Sequence, residues 1–239
     1  MEEKLLTIAE AAEILGVSID TLRRWDKSGK FVAIRKDGGT HRYYRQKDLE
    51  IFATDLMKLA NDWIAEGSEL PSMFYCANSS VFQARLIKMQ DTLIRENIAG
   101  ALTPLIVAVA GEIGNNSFDH NLGKWPDIPG VFFGYDIGNR QVVLADRGLG
   151  ILATLSRVRP ELKNHTEALR VAFTEIVSGR SPEDRGNGLK FVRQVVAENP
   201  INLFFRSGDA ELRLKKDNNE LYITRSQKDT RGCLAIIEF

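Results

Sequence analysis

Residues 105–120 read L-I-V-A-V-A-G-E-I-G-N-N-S-F-D-H, and this run limits the fold more than any other in the chain. Leu105, Val109 and Ile113 recur every four residues and make one stripe of a helix. Glu112, Asn116 and His120 recur at the same interval and make a second stripe. Such a helix packs into a core while turning a polar edge toward something it can meet. A carboxylate can polarise a water, an Asn amide oxygen is a hard ligand suited to magnesium, and an imidazole can meet phosphate oxygens. The same trio is also what a solvated helix edge would carry.

The surrounding text supplies the rest of a two-part α+β chain. Its 239 residues suggest one to two domains, and 44% apolar with 27% charged residues is ordinary globular composition. The runs V-F-F-G-Y-D, Q-V-V-L-A-D, I-N-L-F-F-R, E-L-Y-I-T-R and C-L-A-I-I-E-F read as strands among helices. A helical pattern through Leu49, Phe52, Leu56, Leu59 and Trp63 ends at Gly67. The expected division is 1–55, a helical linker at 56–79, and 80–239. A second helix is expected over about 81–97. Cys76 and Cys233 stand far apart with no C-x-x-C, so neither a disulfide framework nor a zinc site is expected. The longest uncharged stretch, 97–111, is shorter than the roughly 20 residues of a membrane helix and contains Pro104. No membrane partner and a cytoplasmic location are the expectation.

Thirty-two basic and 32 acidic residues cancel, but the charge is uneven. Residues 21–47 hold nine basic side chains against Asp26 and Asp37, a net of plus seven. Just before them, Ala9, Ala12 and Leu15 mark a short helix, Gly16 suits a tight left-handed turn, and Ser18 is a good N-cap for a second helix. That second helix is expected to bury Leu22 and Trp25 and to project Asp20, Thr21, Arg23 and Arg24. Arginines there can meet guanine edges or phosphates. F-V-A-I-R-K, a turn at D-G-G-T and H-R-Y-Y-R then read as a β-hairpin wing. Trp25 and Tyr43 are expected in the core.

The stretch T-I-A-E-A-A-E-I-L-G-V-S-I-D-T-L-R-R-W-D-K-S-G-K with G-G-T-H-R-Y-Y-R-Q-K-D-L resembles the MerR and excisionase type of winged helix-turn-helix over about residues 5–52. The resemblance implies double-stranded DNA as partner, with Ser18, Thr21, Arg23, Arg24, Arg35, His41, Arg42 and Tyr43 at the interface. It also implies a homodimer, with the helix from Asp48 to Glu66 as candidate dimer or linker helix. A module kept only for protein interaction is the bland alternative.

Two further motifs follow the polar helix. In Q-V-V-L-A-D-R-G-L-G-I, Asp146 ends an apolar strand ahead of Gly148 and Gly150. A carboxylate there can accept from the amino group of adenine, and glycines let backbone approach a ring. A strand followed by a glycine turn is the plainer reading. In R-G-N-G-L, Gly186 and Gly188 precede a helix, with Arg180 and Arg185 nearby. Glycine turns that open a helix cradle phosphates.

Taken in order, E-x-x-x-N-x-x-x-H, D-x-G-x-G-I and R-G-x-G-L, closed by R-G-C-L-A-I-I-E-F, resemble the boxes of the GHKL ATPase superfamily over about residues 80–239. The first box looks most like the anti-sigma-factor serine kinases. The resemblance implies a Bergerat-type α/β sandwich, a mixed, mainly antiparallel sheet with helices on one face, binding ATP and magnesium beneath a mobile lid. It implies Glu112 as the acid that activates water, Asn116 as magnesium ligand, and Asp146 as the adenine-reading carboxylate. His120, Gly148, Gly150, Arg185, Gly186, Gly188 and Leu189 would line the nucleotide. Cys233 stands where Thr is usual, and no His sits in a phosphoacceptor hairpin. The expected function is a DNA-binding regulator whose nucleotide site switches the winged helix. The alternatives are a serine or threonine protein kinase acting on a small STAS-like partner and an ATP-binding scaffold without turnover.

Overall fold

The computed structural model describes residues 4–28, 31–35, 39–175, 187–218 and 220–239. Its architecture follows from strands with no polar side. In β4 (Val131–Asp136) and β5 (Gln141–Asp146), consecutive residues Val131, Phe132 and Phe133, and Val142, Val143, Leu144 and Ala145, are all buried. Side chains alternate across a strand, so a sheet built from these runs needs cover on both faces.

The sheet has five strands in the order β3-β4-β5-β7-β6, with β3 at Tyr75–Cys76, β6 at Asn202–Leu214 and β7 at Tyr222–Glu238. Every neighbouring pair is antiparallel. The expected mixed sheet is thereby corrected for the described residues. Parallel neighbours need a crossover, whereas β4 and β5 adjoin through residues 137–140 and β6 and β7 through residues 215–221. The runs E-L-Y-I-T-R and C-L-A-I-I-E-F, expected as two strands, lie in the single 17-residue β7. Register shifts between Ser207 and Gly208 and between Gly208 and Ala210 let one strand pair along its partner through that length.

One face carries α5 (Ser79–Arg95), α6 (Thr103–Asn121), α7 (Gly150–Leu155), α8 (His165–Thr174) and α9 (Gly188–Glu198) over Val131, Phe133, Leu144, Phe205 and Ala235. Helices were expected on this face alone. The other face is also covered: α4 (Leu56–Glu66) lays Leu56, Leu59, Ala60, Trp63 and Ile64 on Phe132, Val143, Ala145, Leu234 and Ile236. The odd and even residues of the same strands feed the two cores. The segment 56–79, expected as a linker, is therefore built into the sheet unit through α4 and β3. The helix expected from Asp48 to Glu66 is two: α3 (Gln46–Thr54) and α4, which Asp55 starts by accepting the Lys58 N–H at 3.0 Å. The apolar face of α4 is spent on this chain's own sheet.

At the N-terminus, β1 (Leu5–Thr7) leads into α1 (Ile8–Leu15), and Thr7 and Glu10 cap its start reciprocally. Gly16, at φ 62°, ends α1, and α2 (Ile19–Ser28) follows. β2 (Tyr43–Arg45) pairs with β1 rather than forming a long hairpin. Of the expected wing, one bridge, Ile34 with Tyr43, lies among the described residues, and Lys36, Asp37 and Gly38 of its turn lie outside them. Trp25 is in the core as expected, but Tyr44, not Tyr43, is the fully buried tyrosine, stacked on Phe31 at 5.0 Å. No described helix is long and apolar enough to cross a membrane.

The end of α4 is held by Arg147, which is 5% exposed. Its guanidinium donates to the Trp63 carbonyl at 2.6 Å, to the Ile64 carbonyl, and through Nε and Nη2 to Asp127. Both carbonyls lie in the last turn of α4, where backbone partners run out; the Trp63 carbonyl also accepts the Gly67 N–H at 2.8 Å. Arg147→Met keeps the bulk but takes a donor from the Ile64 carbonyl and leaves the Trp63 carbonyl to the Gly67 N–H and Asp127 to Arg231 and the Ile128 N–H, and it is expected to lower stability by about 1–3 kcal/mol in urea unfolding. A loss under about 1 kcal/mol would show that the clamp does not hold α4.

The same pair sets an acid limit. Hydrogen bonding from Arg147 is the main reason the Asp127 carboxyl is held at about 2 against an ordinary 3.8; burial opposes it, and the Ile128 N–H and Arg231 add to it. A depressed carboxyl contributes stability that is present above its unfolded value and lost as pH falls through its folded value. Thermal melts should therefore fall between about pH 4 and pH 2. Asp127→Asn should flatten that decline, and an unchanged profile would count against the pairing.

Candidate functional site

A carboxylate is buried at a cavity where α6 crosses the end of β5. Ile113, Asn116, Ser117, His120 and Asn121 of α6 line a cavity with Asp146, Gly150, Ile151, Thr154, Leu189, Phe205 and Cys233. The cavity encloses about 50 Å³, a narrow slot with mostly apolar walls. The α6 positions follow the i, i+3, i+4, i+7, i+8 spacing of a single helix face.

Asp146 forms the polar floor and is 2% exposed. The Ser117 hydroxyl donates to Oδ2 at 2.7 Å, the Gly148 N–H donates to Oδ1 at 2.8 Å, and the Cys233 backbone also bonds the carboxyl. An ionised carboxylate has about four lone-pair sites, so three donors leave room for one more. Burial nevertheless pushes the Asp146 carboxyl above its usual range, outweighing those bonds. A donor entering the slot would relieve that cost. Asn121 fixes the loop beyond: its Oδ1 accepts the Leu149 N–H at 2.8 Å while its Nδ2 donates to the Ser117 carbonyl at 2.7 Å. A side chain at Gly148 would run into Asn121, and one at Gly150, where φ is 75°, would lie 2.9 Å from Ser207 Oγ.

The predicted helix stripe is split. Asn116 and His120 line the slot, whereas Glu112 lies outside its wall, beside the start of α9. A Cβ at Gly188 would sit 2.5 Å from Glu112 Oε2 and 3.2 Å from Asn116 Nδ2. Residues four apart advance about 40° around a helix of 3.6 residues per turn, so the stripe drifts out of the pocket over two steps. His120 is held below its ordinary value, first by burial and then by Arg157, which leaves it a neutral imidazole near pH 7. Leu189 is in the wall, and Gly188 opens α9 without a side-chain cap. Arg185 and Gly186 lie outside the described residues. No cluster of three His, Cys, Asp or Glu side chains suited to a metal occurs among the described residues.

Sequence reasoning missed Ser117, Asn121, Ile151 and Thr154. The first two were legible, because they complete the face that Ile113 and Asn116 begin. Arg147 gave no signal of its own; only its place on the face opposite Asp146 explains it.

On the basic module the arginines are engaged. Arg23 pairs with Asp20 at 2.8 Å, and Arg24 pairs with Glu69 at 2.5 Å. Arg35 and Arg42 both reach Asp26 at 2.6 Å, and Asp26 has a side chain only 3% exposed. Burial works to raise the Asp26 carboxyl, but the Ala33 N–H and the two guanidiniums outweigh it and hold it below its ordinary range. Thr21, expected to project outward, is fully buried. Ser18 caps α2 by accepting the Thr21 N–H at 3.1 Å. His41 is exposed and Tyr43 half-buried. Arg23 and Arg24 therefore share the outer face of α2, while Arg35 and Arg42 pin the bridged residues Ile34 and Tyr43 beside it.

A helix-turn-helix domain family matches residues 5–56, and that segment is a helix-turn-helix domain. The type II methyltransferase M.Eco47II of Escherichia coli is 38% identical over 63 residues, 26% of this chain and 15% of that protein. The transcriptional repressor DcmR of Methylorubrum extorquens (strain DSM 6343 / CIP 106787 / DM4) is 39% identical over 70 residues, 29% of this chain and 26% of the repressor. The chain thus spans 15% and 26% of the lengths of these two relatives.

The Asp26 junction yields a test. Asp26→Asn removes the charge that two guanidiniums share, so the Ala33 amide, which donates to Asp26 at 2.9 Å, should exchange with solvent at least about tenfold faster. Unchanged protection would mean that the Ala33 segment is held by its apolar contacts.

Proposed function

We propose that the protein is a DNA-binding regulator in which an adenine nucleotide, bound with magnesium at the Asp146 slot, biases how the helix-turn-helix is presented. One observation carries this reading: neighbouring residues at one strand end serve the two faces of the sheet, one bearing the slot and the other the helix through which the chain reaches the helix-turn-helix. Asp146 floors the slot on one face of the sheet, and Arg147 grips the C-terminal end of α4 on the other. Past α4, the chain leads back to the recognition helix. A ligand that shifts Asp146 must also disturb Arg147, because both follow from one backbone segment.

The chemistry of the slot supports the ligand class. A flat ring entering between Ile113, Ile151, Leu189 and Phe205 would bring an exocyclic amino group to the remaining acceptor site of Asp146. At about 50 Å³ the slot is tight for a purine, so binding would spread its walls, a movement suited to a switch. Asn116 and the N–H groups that open α9 would face the phosphates and their magnesium. Glu112, beside Gly188, would hold a proton acceptor near them. When bound, the nucleotide would supply a phosphoanhydride; the residues here bind, orient and exclude water. The helix-turn-helix match and the repressor relative support DNA as the partner of the other half.

Calorimetry tests the site. Asp146→Asn exchanges an acceptor for a mixed group and mismatches one hydrogen bond, so ATP affinity is expected to fall at least about tenfold. The unaltered protein should favour ATP over GTP, since guanine offers a carbonyl where adenine offers its amino group. Equal affinity for both nucleotides, or an unchanged Asn variant, would overturn the reading.

A further inference from the structure

Between α4 and β3 the chain runs as a strap, residues 67–74, along the helix-turn-helix. Both of its ends belong to the sheet unit. At one end Gly67, at φ 65°, closes α4 on the Trp63 carbonyl and packs under the Arg147 guanidinium. At the other, the Ser72 carbonyl accepts from Arg85 of α5 at 2.5 Å. Leu70 and Pro71 are buried between these anchors. The strap touches the DNA-type module in two places. The Ser72 N–H donates to the Gly16 carbonyl in the turn between α1 and α2 at 3.1 Å, and Glu69 reaches the first turns of α2.

Glu69 is held there closely. Its Oε2 accepts from the Thr21 hydroxyl at 2.5 Å and from Arg24 Nη2 at 2.5 Å. Because Thr21 gives its only hydroxyl proton to Glu69, Ser18 must donate to Thr21 across their 2.8 Å contact, while accepting the Thr21 N–H. The N-cap, a buried threonine and an exposed arginine thus converge on one carboxylate. The position also favours a negative charge, since the N-terminal end of a helix carries partial positive charge.

The N-terminal residues of a recognition helix are the ones that meet base edges, and arginines beside them meet phosphates. Glu69 puts a fixed anion there. We infer that Glu69 is an internal competitor for DNA: its carboxylate occupies Arg24 and the start of α2 as a phosphate would, and the strap must yield before that face can engage a duplex. The inference rests on the DNA-binding reading above. It adds the device by which the sheet unit controls the helix, because the strap is anchored beside Arg147 and Arg85 rather than on the helix-turn-helix itself. The electrostatics agree: an approaching phosphate meets a carboxylate of like charge in addition to an arginine already neutralised. Exposed ion pairs are weak, so the competition is of a size that a modest shift of the strap can release.

Fluorescence anisotropy with a labelled 30-base-pair duplex of mixed sequence, titrated over a salt series, tests this in the full chain. Glu69→Gln keeps a partner for the Thr21 hydroxyl but removes the charge. It is expected to raise affinity about three- to tenfold and to steepen the log-log salt dependence by about 0.9, the increment for one added phosphate contact. The gain should vanish when Arg24→Ala is added, which separates release of Arg24 from a general change in charge. Equal affinity and slope for Glu69→Gln and the unaltered chain would overturn the inference, and so would weaker binding, which would make Glu69 a support for the helix. Binding by Glu69→Gln alone would be the strongest support. If neither protein binds duplex at any salt, the DNA reading itself fails, an outcome distinct from equal binding by both.

Discussion

The end of β5 is the constraint on which the rest depends. A strand turns successive side chains to opposite faces, so Asp146 and Arg147, one residue apart, are committed to different cores. Each is a charge with almost no exposure, and each is tolerable only because hydrogen bonds converge on it. Around Asp146 the donors come from α6, the following loop and β7; around Arg147 the acceptors come from the end of α4 and the loop before β4. Buried charges specify position more stringently than apolar packing does, because misplacement leaves them unpaired. The pocket and the clamp under α4 are therefore fixed by a single piece of backbone.

A second consequence is that charge in the N-terminal module acts structurally before it acts on any partner. The plus-seven segment looks like a patch of free cations. In the fold, Asp20, Asp26, Asp48 and Glu69 stand against Arg23, Arg24, Arg35, Arg42 and Arg45. The Asp26 triad is the internal part of this arrangement, since its carboxylate is nearly out of solvent and holds two elements together. The pairs on the outer face of α2 are exposed, individually weak and screened by salt. That division separates what keeps the module folded from what can be exchanged for another anion.

Much of this was legible in one dimension. The Gly16 turn, the Ser18 cap and the buried Leu22 and Trp25 follow from local rules, because capping and helix periodicity depend only on near neighbours. The strands β4 and β5 were legible for the same reason. The misreadings have a common origin. Thr21 has polar neighbours and an outward-looking spacing, yet it is covered by Glu69 from 48 residues away. Residues 56–66 form an amphipathic helix that says it must be covered but not by what. The stripe of Glu112, Asn116 and His120 was drawn at a period of four, and a helix repeats at 3.6.

The sequence by itself determined the local elements, the helix-turn-helix and the residue types gathered around a glycine-flanked carboxylate, since each of these is set within a few turns of chain. Tertiary structure alone decided that the sheet is covered on both faces, that α4 belongs to it, and that Ser117 and Asn121 share the slot with Asp146. It also decided that Arg147 ties that slot to α4 and that Glu69 meets Arg24. These are pairings between residues from 25 positions apart, Asn121 and Asp146, to 84 apart, Trp63 and Arg147, and no local propensity encodes them. They arise because buried polar groups must find partners wherever the packing of the two cores happens to bring them.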